Sequence, residues 1–344
     1  MGIPGVGDLV QQKVKTAILG DGGWGTALSC LLARKGQSVT LWSAFPDYAK
    51  VIKEKKENVK FLPGVNIPDG VNVTSDLEGA IRQNDILVFA IPTQYMRNVL
   101  YEISPDSFKD KTLVSVAKGI EKKTLLRPSE IISHHLPGVK LAVLSGPSHA
   151  EEVARNIPTC VVVASGSRDV SRFIQDAFME TRFRIYTSDD VMGVELGGAL
   201  KNVVALAAGI CDGLKFGSNT KSALLTRGLF EITKLGIHMG ANPNTFFGLS
   251  GLGDLVTTCI SEFGRNRRVG ELLGQGKKLS EILAGMEMVA EGVDTTRSAK
   301  ELAVKYNVEM PIVTEIHKVL FEDKDPLTAV DDLMMRDPKM EIVS

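Results

Sequence analysis

Runs of apolar residues alternate with amphipathic segments up to about residue 190 of the chain. Each run is short, is bounded by glycine, proline or polar residues, and is followed by a segment with helical spacing. Apolar strands that alternate with helices are typical of an α/β fold with a mostly parallel, doubly wound sheet. The predicted strands are 14–19, 38–42, 71–73, 86–91, 112–116, 141–145, 160–164 and 183–186, the predicted helices between them include 26–35, 47–57 and 76–81, and 58–64 is predicted to be a packed loop.

The pattern changes after Asp190, at a predicted helix cap. Strand-like runs disappear and helical spacing dominates to the end, including 223–235, 279–283, 298–306 and 313–321. A chain of 344 residues exceeds what a single core usually supports. We therefore predict a Rossmann-like domain at 14–190 and an all-α domain at 191–344, preceded by a short extension at 1–13.

The helix predicted at 192–210 is the first element of the second domain. One of its stripes consists of large apolar residues and the opposite stripe consists of small residues. Leu196, Leu200 and Val203 recur at helical spacing, whereas the opposite stripe holds glycine and alanine around a single Lys201. Both faces therefore look covered. A lysine in such a helix is either a snorkelling stem or a chemical group, and this helix alone favours the structural alternative.

Composition excludes several classes of protein. Hydrophobic residues make up 44%, charged residues 24%, and the net charge is −1, which argues against nucleic-acid or membrane-surface binding. The four cysteines show no CxxC spacing, and no metal-binding motif is present. No signal peptide or run of about 18 uninterrupted apolar residues is found, so a cytoplasmic protein is predicted.

The segment 20–25 has the spacing GxGxxG and lies between a predicted strand and a predicted helix. Gly20 allows a tight turn, Gly22 lets the backbone approach a pyrophosphate, and Gly25 permits close helix packing. The βαβ context favours a dinucleotide site at this helix N-terminus. The segment 43–46 at the end of the second strand holds neither an acid nor an arginine, so the choice between NAD and NADP stays open.

Other polar residues follow the strands, where ligands bind in such sheets. Lys118 comes after the fifth strand and is as consistent with a ligand role as with a solvent-exposed one, whereas His149 is first given a packing or capping role. In the helical part, Asp254 is the single acid of a glycine-rich run, and 265–268 holds three arginines suited to a phosphate group.

Together these motifs resemble the bacterial-type NAD(P)-dependent glycerol-3-phosphate dehydrogenases from about residue 14 to residue 335. The resemblance rests on 20–26, Asn58 with 62–64, 117–121, 145–148, 195–202, 251–254, 265–267 and 289–292. It implies interconversion of glycerol 3-phosphate and dihydroxyacetone phosphate with NAD or NADP, a homodimer, and a supply of glycerol 3-phosphate for phospholipid synthesis.

The resemblance also implies residue roles, with Lys201 as the proton acceptor. The implied substrate-binding residues are Lys118, Gly146, Ser148, Lys201, Asn202, Asp254, Thr258, Gly264, Arg265 and Asn266. The implied cofactor-binding residues, beside Gly20, Gly22 and Gly25, are Gly23, Trp24, Lys118, Ala150, Arg265, Val289 and Glu291. Three positions depart from the family pattern: Gly264 and Gly23 replace frequent serines, and Ala44 replaces a His or Arg near the adenosine ribose.

Two alternatives stay open from the residues themselves. A 3-hydroxyacid or 6-phosphogluconate-type dehydrogenase also pairs a Rossmann domain with a helical domain and a lysine on its first helix. A non-catalytic dinucleotide sensor would need the glycine turn but not Lys118, Lys201 and Asp254. A UDP-sugar dehydrogenase is disfavoured because no cysteine lies in a suitable nucleophile loop.

Overall fold

The computed structural model describes residues 14–338, 340 and 341, and its first half is built on an eight-stranded sheet. All eight predicted strands are confirmed, whereas the predicted extension at 1–13 lies outside the described residues. The strands are β1 Lys15–Leu19, β2 Ser38–Trp42, β3 Glu57–Asn58, β4 Leu62–Asn66, β5 Val71–Thr74, β6 Ile86–Phe89, β7 Thr112–Ser115, β8 Lys140–Ser145, β9 Thr159–Ala164 and β10 Phe183–Ser188.

The sheet is mostly parallel, as predicted. Its strand order is β10-β9-β8-β7-β6-β1-β2-β5, and β8 and β9 form its one antiparallel pair among the described residues. Strands β9 and β10 therefore run against the other six. The carboxyl ends of β1, β6, β7 and β8 meet at one edge, and the loops that leave this edge lie next to one another.

The segment predicted as a loop at 58–64 is instead a small hairpin, in which β3 pairs only with β4. The prediction of its packing is confirmed, because Asn58 is fully buried. The Asn58 amide donates to the Asp21 carbonyl at 2.6 Å and to Thr26 Oγ1 at 2.8 Å, and so fixes the glycine turn. Pro63 and Gly64 break the alternation by which a strand is recognised in sequence, which explains the wrong prediction.

Fifteen α-helices complete the described part of the chain. They are α1 Gly23–Arg34, α2 Pro46–Lys55, α3 Leu77–Arg82, α4 Thr93–Tyr101, α5 Pro128–His135, α6 Ala150–Ala154, α7 Arg168–Phe178, α8 Val191–Gly213, α9 Ser218–Met239, α10 Asp254–Ile260, α11 Arg265–Gly274, α12 Leu279–Ala284, α13 Glu291–Lys305, α14 Pro311–Phe321 and α15 Pro326–Met334. After β10 every described element is helical, in agreement with the sequence pattern.

Helix α8 is the centre of the helical half. The Asp190 side chain accepts a hydrogen bond from Gly193 N, which confirms the predicted cap. Every residue from 193 to 211 is buried, because α9, α10, α11, α13 and α14 pack around the helix. Among the described residues, α8 alone has the length and apolar composition of a membrane-spanning helix, and it is enclosed by the protein itself.

Glycines of the turn between β1 and α1 differ in how closely they are packed. A Cβ atom on Gly25 would lie 2.0 Å from the Gly20 carbonyl oxygen, whereas one on Gly22 would meet nothing within 4 Å. We expect Gly25→Ala to lower the free energy of unfolding by about 1–3 kcal/mol, since backbone must move to admit the methyl group. The matched control Gly22→Ala should change it by less than about 0.5 kcal/mol. Denaturant unfolding at neutral pH measures both, and equal losses would contradict this steric argument.

Candidate active site

Helix α8 carries side chains from the sheet to the carboxyl edge of β8. Near its beginning, Val194 packs on Val143 of β8 and Val162 of β9. One turn later Gly198 lies against Ser145, the last residue of β8, since a Cβ on Gly198 would be 2.6 Å from Ser145 Oγ. Lys201 therefore lies just beyond the sheet edge, where the loops after the parallel strands meet.

The side chain of Asp254 lies between two lysines at this edge. Lys201 Nζ donates to Asp254 Oδ1 at 2.5 Å, and Lys118 Nζ donates to Asp254 Oδ2 at 2.8 Å. Lys201 also donates to the Thr258 hydroxyl. The carboxylate and Lys201 are buried, with 1% and 5% of their surfaces exposed. Three residues that are distant in sequence thus form one buried charged cluster.

Lys118 reaches this cluster from the loop after β7. Its ammonium donates to the Gly146 carbonyl at 2.9 Å and lies 3.5 Å from Ser148 Oγ, and Ser148 Oγ in turn donates to the same carbonyl at 2.9 Å. The lysine stem crosses α8 at Gly198, where a Cβ would lie 3.6 Å from Lys118 Cγ. The structure therefore brings together Lys118, Gly146 and Ser148, as the sequence suggested.

Burial is the main influence on the protonation of Lys201. It lowers the pKa of Lys201 to about 8, and the positive charge of Lys118 acts in the same direction, while Asp254 opposes both. The lysine therefore changes protonation close to neutral pH, far below the usual lysine pKa of about 10.4. The structural alternative for Lys201, a snorkelling stem, is wrong because its ammonium is buried with the rest of the side chain.

A π-helical turn at Leu249–Gly253 places Asp254 at the beginning of α10. The turn approaches α8 closely, since a Cβ on Gly197 would lie 2.6 Å from the Ser250 carbonyl oxygen. Such turns recur at functional sites because they direct the following residue away from the regular helical path. The small stripe of α8 is thus the surface on which the Asp254 segment packs.

His149 packs beside the charged cluster, which agrees with the packing role predicted for it. Its ring lies 5.9 Å from that of Phe263, and its Nε2 is buried with no hydrogen-bond partner in the described structure. Burial, together with the charges of Lys201 and Lys118, lowers the pKa of His149 to about 4. The imidazole is therefore neutral at physiological pH and contributes no third positive charge.

The glycine turn fits a dinucleotide. The space next to Gly22 is open, and no side chain caps the first turn of α1, whose N–H groups can therefore bind a pyrophosphate. The turn is bordered by Ala150, whose Cβ would lie 3.6 Å from a Cβ on Gly23. Trp24 is half-buried and its indole Nε1 has no partner in the described structure. The predicted cofactor residues of this turn thus lie around one open crevice.

The end of β2 offers no group that selects between the two dinucleotides. Ser43 is buried, and its hydroxyl donates to Asp21 Oδ2 at 2.7 Å within the glycine turn. Burial raises the pKa of Asp21. Ala44 and the exposed Phe45 follow, so this edge holds neither a free carboxylate for a ribose hydroxyl nor an arginine for a 2′-phosphate.

The predicted phosphate cluster at 265–268 is reduced to one arginine. Arg267 donates to Asp212 at 2.6 Å, and Arg268 donates to Glu271 at 2.9 Å, so both side chains are used in ion pairs within the helical half. Arg265 is exposed, and in the described part of the chain its guanidinium contacts only the Val289 carbonyl, at 3.2 Å. Gly264 precedes it as a helix cap without a side chain, which leaves the N–H groups of α11 free.

Of the remaining predicted residues, Asn202 and Glu291 connect the two halves, whereas Asn266 makes its contact within the helical half. The Asn202 amide donates to the Lys118 carbonyl at 3.0 Å, and Asn266 Oδ1 accepts from Gly292 N at 3.0 Å. Glu291 Oε1 accepts from Thr93 N at 2.9 Å. Thr93 follows β6 and Pro92 at the same edge as the other loops, and no role was predicted for it from the sequence. Among the described residues no group of side chains suited to a metal ion is found.

Comparison with known proteins gives consistent matches along the chain. Residues 15–171 match the family described as NAD-dependent glycerol-3-phosphate dehydrogenase N-terminus, and residues 190–331 match the corresponding C-terminus. The chain is 52% identical over 326 residues to glycerol-3-phosphate dehydrogenase [NAD(P)+] of Pelotomaculum thermopropionicum, covering 94% of this chain and 93% of that protein. The protein of the same name from Agathobacter rectalis is 48% identical over 327 residues, covering 95% and 97%. The crystal structure of glycerol-3-phosphate dehydrogenase from Coxiella burnetii superposes with a TM-score of 0.91 at 39% identity, covering 94% of this chain and 99% of that one.

Proposed function

Because the chain belongs to the NAD-dependent glycerol-3-phosphate dehydrogenase family, we propose that Lys201, Asp254 and Lys118 form the catalytic centre of this enzyme. The protein is an oxidoreductase that interconverts glycerol 3-phosphate and dihydroxyacetone phosphate with NAD or NADP. The observation that supports the proposed centre is the single buried carboxylate shared by two ammonium groups at the edge of the sheet.

Lys201 is proposed as the group that accepts and donates the proton. The nicotinamide cofactor, when bound, accepts or donates the hydride. Oxidation of the secondary alcohol needs a base for the hydroxyl proton, and neutral Lys201 meets this need because burial lowers its pKa to about 8. In the opposite direction the Lys201 ammonium donates a hydrogen bond and then its proton to the carbonyl oxygen of dihydroxyacetone phosphate.

Asp254 and Lys118 are proposed to hold that centre and the substrate. The carboxylate compensates two positive charges that would otherwise repel each other at the buried site. Lys118 is the more exposed of the two lysines, with 17% of its side chain accessible, and is placed to contact bound substrate beside Ser148. Thr258 and Gly146 hold the ammonium groups of Lys201 and Lys118, and Asn202 holds the backbone of Lys118.

We propose that residues 14–190 supply most of the cofactor site, and that residues 191–344 supply the proton acceptor, the phosphate site and the remaining cofactor residues. The proposed cofactor residues are Gly20, Gly22, Gly23, Trp24, Gly25, Lys118, Ala150, Arg265, Val289 and Glu291. The open crevice at Gly22 supports this division, as does the absence of a side-chain cap on α1. The lack of a selective group after β2 supports use of both NADH and NADPH.

We further propose a cytoplasmic homodimer that supplies glycerol 3-phosphate for phospholipid synthesis and binds neither nucleic acid nor membranes. The net charge of −1 supports the last two points. The four cysteines are all free thiols, which is the usual state in a reducing compartment. The homodimer is proposed from the resemblance to the family.

Replacement of the proposed proton acceptor tests the central assignment. We expect Lys201→Met to reduce kcat in both directions by about 100-fold to 10,000-fold, the usual contribution of a general acid–base group. NADH affinity should change less than about twofold, since Lys201 contacts Asp254 and Thr258 rather than the glycine turn. Steady-state assays with NADH and NADPH and a fluorescence titration of NADH measure these quantities. Normal turnover in the folded variant would overturn the assignment.

The pH dependence follows from the protonation state of Lys201. Since the pKa of Lys201 is about 8, kcat/KM for glycerol 3-phosphate oxidation should rise with pH and level off above about pH 8. Reduction of dihydroxyacetone phosphate needs the ammonium form, so its kcat/KM should fall as the pH rises through the same value. If kcat/KM of Lys201→Met still changed with pH around the same value, another group would be responsible for the titration.

Arg265 is tested by a conservative change with a neighbouring control. Arg265→Lys should raise KM for glycerol 3-phosphate by about 10-fold to 100-fold, because a lysine cannot bind a phosphate through two parallel hydrogen bonds. Arg268→Lys is the matched control, since Arg268 is exposed on the same helix and pairs with Glu271. Isothermal titration gives the NADH dissociation constant in parallel. Equal losses for substrate and NADH would assign Arg265 to the cofactor instead.

A further inference from the structure

The loop that carries Lys118 is attached to α8 at both of its ends. We name residues 116–127, between β7 and α5, the Lys118 loop. At its beginning the Asn202 amide donates to the Lys118 carbonyl at 3.0 Å. At its end Arg127 Nη1 donates to Glu195 Oε2 at 2.6 Å. Asn202 and Glu195 both belong to α8, so this helix contacts the loop near its start and at its end, while α4 and α13 contact the middle of the loop through Arg97 and Ser298.

The second attachment is buried and has several hydrogen bonds. Glu195 also accepts from Ser129 N at 2.8 Å and from Ser129 Oγ at 2.5 Å. The side chains of Glu195 and Arg127 expose only 4% and 8% of their surfaces. Arg127 Nη2 further donates to Glu130 at 2.8 Å. The planar guanidinium thus binds two carboxylates in one fixed orientation. The ammonium group of a lysine, which acts as a point charge, would not fix this orientation.

The spacing of residues on α8 relates both attachments to the catalytic centre. Glu195, Gly198 and Asn202 follow one another at i, i+3 and i+7, so they share a stripe that spans about 10.5 Å. The Lys118 stem crosses this stripe at Gly198. Lys201 lies on the neighbouring stripe, which faces α10. The distance between the two ammonium groups therefore depends on how the Lys118 loop is held on α8.

An ion pair of this kind is not needed for stability alone. Well-packed apolar residues in place of a buried pair are often equally or more stabilising, because the charges lose their hydration on burial. What the pair supplies is a defined geometry between the end of the Lys118 loop and α8. Neither Glu195 nor Arg127 forms a hydrogen bond with Lys118, Lys201 or Asp254 in the described structure, so any effect on catalysis passes through the loop.

Resting on the proposed function of the Lys118–Asp254–Lys201 centre, we propose that Glu195 and Arg127 are positioning residues that set the separation of the two catalytic lysines by anchoring the Lys118 loop to α8. When this anchor moves, Lys118 withdraws from Asp254. The carboxylate then pairs with Lys201 alone, and the repulsion from Lys118 is reduced.

Both changes favour the charged form of Lys201. The groups that face it are Asp254 and Cys259 from α10, Lys118 from its loop, and His149 from the segment before α6. Of these, only Lys118 is attached through the Glu195–Arg127 pair. The pKa of Lys201 should therefore rise above its value of about 8 when the anchor is displaced.

Glu195→Asp tests the proposal, because it keeps the charge and shortens the side chain by one methylene group. We expect kcat for glycerol 3-phosphate oxidation at pH 7 to fall by about 10-fold to 100-fold, as for other small misplacements of catalytic groups. The pH limb of kcat/KM should move upward by at least about 0.5 pH unit. The dissociation constant of NADH should change less than kcat does, because the glycine turn is untouched and Lys118 is the one proposed cofactor residue that moves.

Glu231→Asp is the matched control for a purely structural effect. Glu231 is a buried carboxylate of α9 that accepts from Ile312 N at 2.8 Å and Val313 N at 3.3 Å, away from the catalytic centre. The substitution Glu231→Asp should lower the unfolding midpoint and leave the pH dependence of kcat/KM unchanged. If Glu195→Asp does not fold, Arg127→Lys serves as the second variant, since lysine keeps the charge but cannot join both carboxylates.

An unchanged pH limb and kcat in a folded Glu195→Asp or Arg127→Lys enzyme would overturn the positioning role. The positioning role would also be overturned if the loss of kcat matched the loss of folded protein while the pH dependence of kcat/KM stayed at its original pH. These results would leave the proposed function intact, because that function fails only if Lys201→Met keeps normal turnover. Lys201→Met therefore tests the proposed function, and Glu195→Asp and Arg127→Lys test the positioning role.

Discussion

A buried carboxylate with two ammonium partners is the interaction on which the site depends. Removing a lysine from water disfavours its charged form, and a second lysine nearby adds repulsion. Asp254 opposes both effects, so that Lys201 titrates at a pKa of about 8 rather than remaining permanently neutral or permanently charged. The pair of hydrogen bonds at 2.5 and 2.8 Å also fixes the geometry of the cluster. A lysine that can both release and take up a proton near neutral pH follows from this balance.

One helix, α8, positions the charged groups of this cluster. α8 is enclosed by helices along most of its length and also contacts β8, so its position relative to the sheet is determined on all sides. Its small residues let the Asp254 segment approach on one stripe and let Lys118 cross on another. The same helix therefore forms the core of one half and carries Lys201 to the carboxyl edge of the sheet. Its apolar character, which suits a membrane span by composition, reflects this enclosure.

The contacts between the two halves converge on the loops that leave the carboxyl edge of the sheet. Asn202 holds the loop after β7, Glu291 binds the backbone after β6 at Thr93, and Glu195 reaches the beginning of α5. Each contact joins a side chain of the helical half to a loop of the sheet, so the crevice walls and the charged cluster are assembled together. A change in one of these contacts is expected to affect the reaction through geometry rather than through direct contact with substrate.

The sequence by itself determined the eight strands of the main sheet, the glycine turn, the cap at Asp190, the change to an all-α pattern and the family, because these features lie within short segments whose spacing reports local structure. Only the tertiary structure decided which charges meet. Lys118 and Asp254 are 136 positions apart, and Arg127 and Glu195 are 68 apart. The ion pair of Arg267 with Asp212, the antiparallel β9 and the lowered pKa of Lys201 likewise arise from neighbours that no local pattern reveals. Burial and electrostatics depend on the whole packed chain, whereas periodicity depends only on the next few residues.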